Sequence, residues 1–150
     1  MPLHLIKVAA RIESLDHLIL HQQSLAIYDP TYHIRIGRHW TRHRPKRADE
    51  IVSGGSVYWI IRGVIRARQR VIALEAHEKT SDDAKPMKYC AIVYDVDNMV
   101  LTSPRPRRGH QGWRYFNDED RPPDLPASKD GVDPDMPADM RAELAALGLI

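Results

Sequence analysis

The stretch Gly54-Gly55-Ser56-Val57-Tyr58-Trp59-Ile60-Ile61-Arg62-Gly63, followed directly by Val64-Ile65-Arg66-Ala67-Arg68-Gln69-Arg70-Val71-Ile72, decides the fold. Paired glycines open it and Gly63 bends it. Its apolar runs are rich in β-branched and aromatic side chains, which fit a pleated, half-buried surface. It reads as a central hairpin. In the second arm a strand sends Arg66, Arg68 and Arg70 to one face and Ile65, Ala67 and Val71 to the other. Val64, Ala67, Val71 and Leu74 also fit a helical stripe. A strand over 64–78 is preferred because Gly63 suits a short hairpin, and the polar loop 79–86 leads back to an apolar strand at 88–94.

Upstream, residues 3–10 read as an interior strand, apolar on both sides. Ser14 is placed to cap a helix reaching about residue 28, with Asp16 in its first turn and Asp29-Pro30 as its stop. Residues 32–36 alternate like a short strand. Residues 37–47 have no apolar period and read as a basic loop, and 48–52 as one helical turn. Downstream come a short strand at 99–102 and an arm over 104–116 that ends in an aromatic cluster. An acidic loop over 117–134 follows, then a terminal helix marked by Pro137, Met140, Leu144, Leu147 and Gly148. The expected architecture is α+β: a small, mixed, mainly antiparallel sheet of five or six strands, or a partly open barrel, with one flanking helix and a short C-terminal helix.

A chain of 150 residues is long enough for one domain with a sizeable core, so 1–150 is read as a single domain with 117–150 packed on its body. The single cysteine, Cys90, excludes an intramolecular disulfide and a cysteine-built zinc site, and mid-strand it reads as a buried thiol. No basic leader precedes an apolar run, and no apolar stretch reaches membrane-spanning length. The expectation is a cytoplasmic protein with no membrane partner.

Net charge is only +2, but it is unevenly spread. Ten arginines and lysines lie between residues 31 and 72 against Asp49 and Glu50, and nine acids lie between 117 and 143 against three bases. Such separation concerns partners or self-association rather than fold.

The residues Pro45-Lys46-Arg47-Ala48-Asp49-Glu50-Ile51, the Gly54–Gly63 block, Arg68-Gln69-Arg70 and Gln111-Gly112-Trp113-Arg114-Tyr115 resemble the alphaproteobacterial family catalogued as domain of unknown function 1489. The likeness runs from His4 to the terminal helix. It implies a bacterial cytoplasmic protein of one domain and brings no activity with it. The order of elements, with a basic loop before a glycine-led hairpin, is also similar to PUA-like barrels, which often bind RNA; fold analogy alone does not license that function.

The basic residues form the main functional signal. Arg42, Arg44, Lys46 and Arg47 in the loop, Arg66, Arg68 and Arg70 on the strand, and Arg105, Arg107, Arg108 and Arg114 in the arm are candidate phosphate contacts if the three segments converge. Trp113 joins them, with Trp40, Tyr115 and Phe116 as surfaces on which bases stack. This combination suits a nucleic-acid-binding domain, RNA before DNA. The bland alternative is that the arginines pair with the acidic tail or form a solvated face.

A second possibility is an enzyme on a phosphorylated or anionic small molecule, with His4, His110 or Glu50 moving protons. A third is a protein-interaction module using the terminal helix. His17/His21 and His39/His43 have the four-residue spacing of metal pairs, but neither has a third ligand. No metal and no cofactor are expected.

Overall fold

Arg62 and Gly63 both take positive φ, 49° and 77°, and Ile61 opposes Val64 across them. This is the two-residue hairpin whose twist matches its flanking strands. The computed structural model describes residues 2–80 and 85–126, and in it this hairpin joins the two central strands. The expected terminal helix and the end of the acidic loop lie outside the described residues.

The chain order is β1 (Leu3–Val8), α1 (Leu15–Leu25), β2 (Ile27–Asp29), β3 (Ile34–Thr41), α2 (Ala48–Val52), β4 (Ser56–Ile61), β5 (Val64–Lys79), β6 (Met87–Asp95), β7 (Val100–Pro106) and β8 (Trp113–Asn117). The strands form one mixed, mostly antiparallel sheet in the order β2-β3-β6-β5-β4-β1-β8, with β7 also on β5. Among the described strands only β1 and β4 run parallel.

The partly open barrel, and with it the PUA-like likeness, is overturned. The sheet stays open: no ladder joins β8 to β2 among the described residues. The reason lies in β5, which outruns its neighbours. Its first half pairs with β4 and β7 and its second half with β6, and register shifts interrupt both stretches. A bulge unpairs a residue and bends the strand, so β5 is shared between two half-sheets rather than rolled into a closed wall.

The same irregularity corrects the side-chain pattern. Ile60 opposes Ile65 and Trp59 opposes Ala67, which leaves Arg66 as the extra residue. Ile65 therefore joins Ile6, Tyr58, Ile60 and Phe116 on one face, while Ala67 and Val71 join the main core on the other. A bulge costs one step of alternation, and every residue before it changes face.

The main core collects Leu5, Val57, Trp59, Ala67, Val71 and Ile92 from the sheet, Leu15 and Leu18 from α1, and Ile51 from α2. Ser14 caps α1 as expected, its Oγ accepting from the His17 N–H at 3.0 Å. The helix stops at Leu25, because Ala26 is already extended and Ile27–Asp29 pairs with β3. Gln22 on the apolar stripe is buried and meets buried Gln69, each amide donating to the other at 2.7–2.8 Å. Gln69 Oε1 also accepts from the Trp59 indole at 2.8 Å, so these polar groups are mutually satisfied inside the core.

Two segments read as loops are strands. Gly37–Thr41 continues β3 opposite Tyr94–Cys90 of β6. Its apolar period is hidden because one of its faces carries Gly37, His39 and Thr41 and the other carries Arg38 and Trp40. Arg38 is accommodated by Glu75 at 2.8 Å and Asp29 at 3.0 Å. Trp113–Asn117 of the arm is β8, antiparallel to β1, so β1 is an interior strand as expected. Gly55 admits no side chain, since a Cβ there would collide with the carbonyl oxygens of Leu3 and Ile51. That close approach sets the start of β4 against β1.

Candidate nucleic-acid interface

The arm and the basic loop meet at Trp113 and Tyr115. The Trp113 indole Nε1–H donates to the His43 carbonyl at 2.7 Å, and the Arg47 N–H donates to the Tyr115 hydroxyl at 3.1 Å. The two rings meet edge to face at 4.9 Å. β8 delivers both side chains because its pairing with β1 fixes its register. Trp113 is thus a fastener between segments, with its polar atom already used.

Three open clefts adjoin across this junction. The first, of about 460 Å³, is lined by Arg107, Arg108, His110, Gln111 and Arg114, with no acid in its wall among the described residues. The second shares Gln111 and runs past Trp113 to Thr41, Arg42 and His43. The third, about 730 Å³, shares Arg42 and His43 and continues to Arg44, His77, Lys88 and Tyr89, with Glu78 its one acid among the described residues. Arg42, Arg44, Lys88, Arg108 and Arg114 are exposed. Arg107 is half-buried, its guanidinium 5.6 Å from the Phe116 ring. Arg44 donates its Nε–H to the Leu74 carbonyl at 2.9 Å.

The remaining expected contacts are not part of this strip. Arg68 is held by both Asp124 oxygens at 2.7 and 2.8 Å and by Ser56 Oγ at 3.0 Å, on the face opposite Ala67 and Gln69. Arg47 grips both Glu50 oxygens at 2.6 and 2.8 Å and lies 5.5 Å from the Tyr115 ring. Arg70 reaches the Val52 carbonyl at 3.4 Å, and Arg105 the Asp120 carbonyl at 2.6 Å. Arg66 is half-buried at the bulge, and Lys46 is exposed on the loop beside Arg47. Part of the acidic segment does answer the basic one, as the bland alternative expects, through Asp124 on Arg68.

The three candidate proton-transfer residues do not come together as a set. His4 is buried; its Nδ1 accepts from the Ser56 N–H at 2.9 Å, which places its proton on Nε2, facing Asp118 at 2.7 Å. Burial holds its pKa below the ordinary imidazole value, and the Asp118 hydrogen bond opposes that shift. With both nitrogens engaged, His4 is a structural tie between β1, β4 and the start of the acidic segment. Glu50 is exposed in the first turn of α2, its pKa lowered by the Arg47 hydrogen bond. His110 lies in the arginine-lined cleft; burial lowers its pKa, and Arg114 adds to the shift.

Sequence reasoning missed His77, Tyr89 and Lys88, and it named Trp40 only as a stacking surface. Trp40 is 52% exposed and packs on His77 at 5.2 Å and Tyr89 at 5.5 Å, while His77 and Tyr89 lie nearly parallel at 5.5 Å. His77 and Tyr89 face each other in the β5–β6 register. The available signal was the two-residue spacing of Arg38 and Trp40, which places both on one side once β3 is recognised as running to Thr41, with Arg42 just past the strand end. Burial pushes the Cys90 thiol up, so it stays protonated and inert. His17 Nδ1 accepts from the Glu13 N–H at 3.1 Å, a local bond at the start of α1. Among the described residues no helix is long and apolar enough to cross a membrane.

No curated protein and no solved structure matches the chain. One family model does match, over residues 5–150, so it spans both the arm and the loop that meet at Trp113. The chain belongs to the family described as protein of unknown function DUF1489.

Proposed function

We propose that this protein binds nucleic acid, RNA in preference to DNA, along the three adjoining clefts, and does so in the cytoplasm. One observation carries the reading: cations from the loop, from β6 and from the arm line three clefts that share residues end to end, and among the described residues Glu78 is the one acid in their walls. Guanidinium forks suit phosphate oxygens, and a run of them follows a backbone without reading its sequence. The clefts are open at the surface, as a polymer requires. The second expectation, an enzyme on a small anion, is supported by His110 among the arginines, with no partnering acid in that cleft among the described residues.

The test compares two triple variants by fluorescence anisotropy with a short labelled RNA. Arg42→Ala/Arg108→Ala/Arg114→Ala should lose most of its affinity. Arg47→Ala/Arg68→Ala/Arg70→Ala, whose side chains bond to Glu50, Asp124 and the Val52 carbonyl and lie outside the clefts, should lose stability and keep affinity wherever it remains folded. Equal loss in both, or none in the first, contradicts the reading.

A further inference from the structure

We propose that one unpaired nucleobase of the bound strand stacks on Trp40, beside the largest of the three clefts, whose wall includes Trp40's ring neighbours His77 and Tyr89, with its phosphates on Arg42 and Lys88. This rests on the nucleic-acid reading and narrows its ligand to single strands. A stacking site needs a ring that is both open and held still, since any motion lost on binding subtracts from affinity. Trp40 is open: about half its surface meets water, and its register partner on β6 is the small Ala91. It is also held. His77 meets it at a 72° ring angle and Tyr89 at 55°, and those two rings brace each other.

The brace has its own support. His77 Nε2 lies 3.0 Å from Glu75 Oε1, and the same carboxylate takes Arg38 at 2.8 and 3.1 Å and the Tyr32 hydroxyl at 2.8 Å. Those partners, Arg38 first, hold the Glu75 carboxyl down at about 2, so it remains a fixed anion under the histidine. Arg42 follows Trp40 by two residues, Lys88 precedes Tyr89, and both line the same cleft as His77 and Tyr89. Apolar Met87, 57% exposed, lies beside them. Rings with cations at their rim match a base and its phosphates, and a paired duplex offers no free base face to such a platform.

The experiment measures anisotropy of labelled single strands about ten nucleotides long, and of a duplex of the same length, with wild type, Trp40→Ala and Tyr28→Ala, an exposed aromatic elsewhere. Trp40→Ala should weaken single-strand binding about tenfold or more and leave duplex binding unchanged, with Tyr28→Ala like wild type. If wild type binds but Trp40→Ala weakens neither ligand, or both alike, the base site is wrong while the basic strip stands. If wild type binds neither, both readings fall. A dimer in sedimentation that Trp40→Ala dissociates would make the patch an interface between copies, and overturn the proposal.

Discussion

The Trp113 indole Nε1–H donates to the main-chain oxygen of His43 at 2.7 Å, joining positions 70 residues apart in sequence. This bond seats the arm against the basic loop, and the arginine-rich clefts open on either side of it. Trp113→Phe keeps a ring in place and removes the donor. Stability should fall by about 1 kcal/mol, the usual net worth of one hydrogen bond. RNA affinity should fall with it because the two ends of the strip are no longer held in register. Urea midpoints and binding isotherms on the same preparation check both effects.

His39 makes stability depend on pH. Burial, with the charge of Lys7 second, lowers its pKa from 6.5 to about 4. Its imidazole packs edge-on against Trp59 at 5.4 Å. Between those values the unfolded chain binds the proton and the folded chain does not. The stability is therefore present above pH 6.5 and is lost as pH falls toward 4, by up to about 3 kcal/mol. His4, also depressed by burial, adds to the same slope. The His39→Phe variant should show a shallower loss in urea unfolding between pH 6.5 and 4.5, and an unchanged slope would contradict this account.

Gln69 is the junction of the buried polar network. Gln69→Ala strands the Gln22 amide and the Trp59 indole N–H where no water reaches, and opens a cavity as well. The expected cost is about 2–4 kcal/mol. Gln22→Leu/Gln69→Leu removes both amides together and should cost less than the two single leucine variants summed. A double-mutant cycle by chemical denaturation measures that coupling.

Much of the fold was legible because its signals are local. The Ser14 cap, the Gly63 turn and the apolar run along Ser56–Ile61 each need only a few neighbouring residues. What escaped notice depends on distant partners. Arg38 looks out of place in a strand until Glu75 and Asp29 are brought to it. Trp113–Asn117 becomes a strand only because β1 has a free side. The bulge at Arg66 leaves no mark in the sequence, yet it decides the face of Ile65. The candidate site divides in the same way. The basic segments could be counted in advance, but which arginines would be claimed by Glu50 and Asp124 is set by tertiary contacts.

The central claim is that the cations of the clefts grip a polyanion, and salt dependence tests it most directly. If Arg42, Arg44, Lys88, Arg107, Arg108 and Arg114 each release a counterion from single-stranded RNA, log affinity should fall against log salt with a slope of about −4. Arg114→Ala should make that slope shallower by about 0.7, and Arg68→Ala should leave it unchanged. A slope near zero, or no binding at about 50 mM salt, would contradict the account.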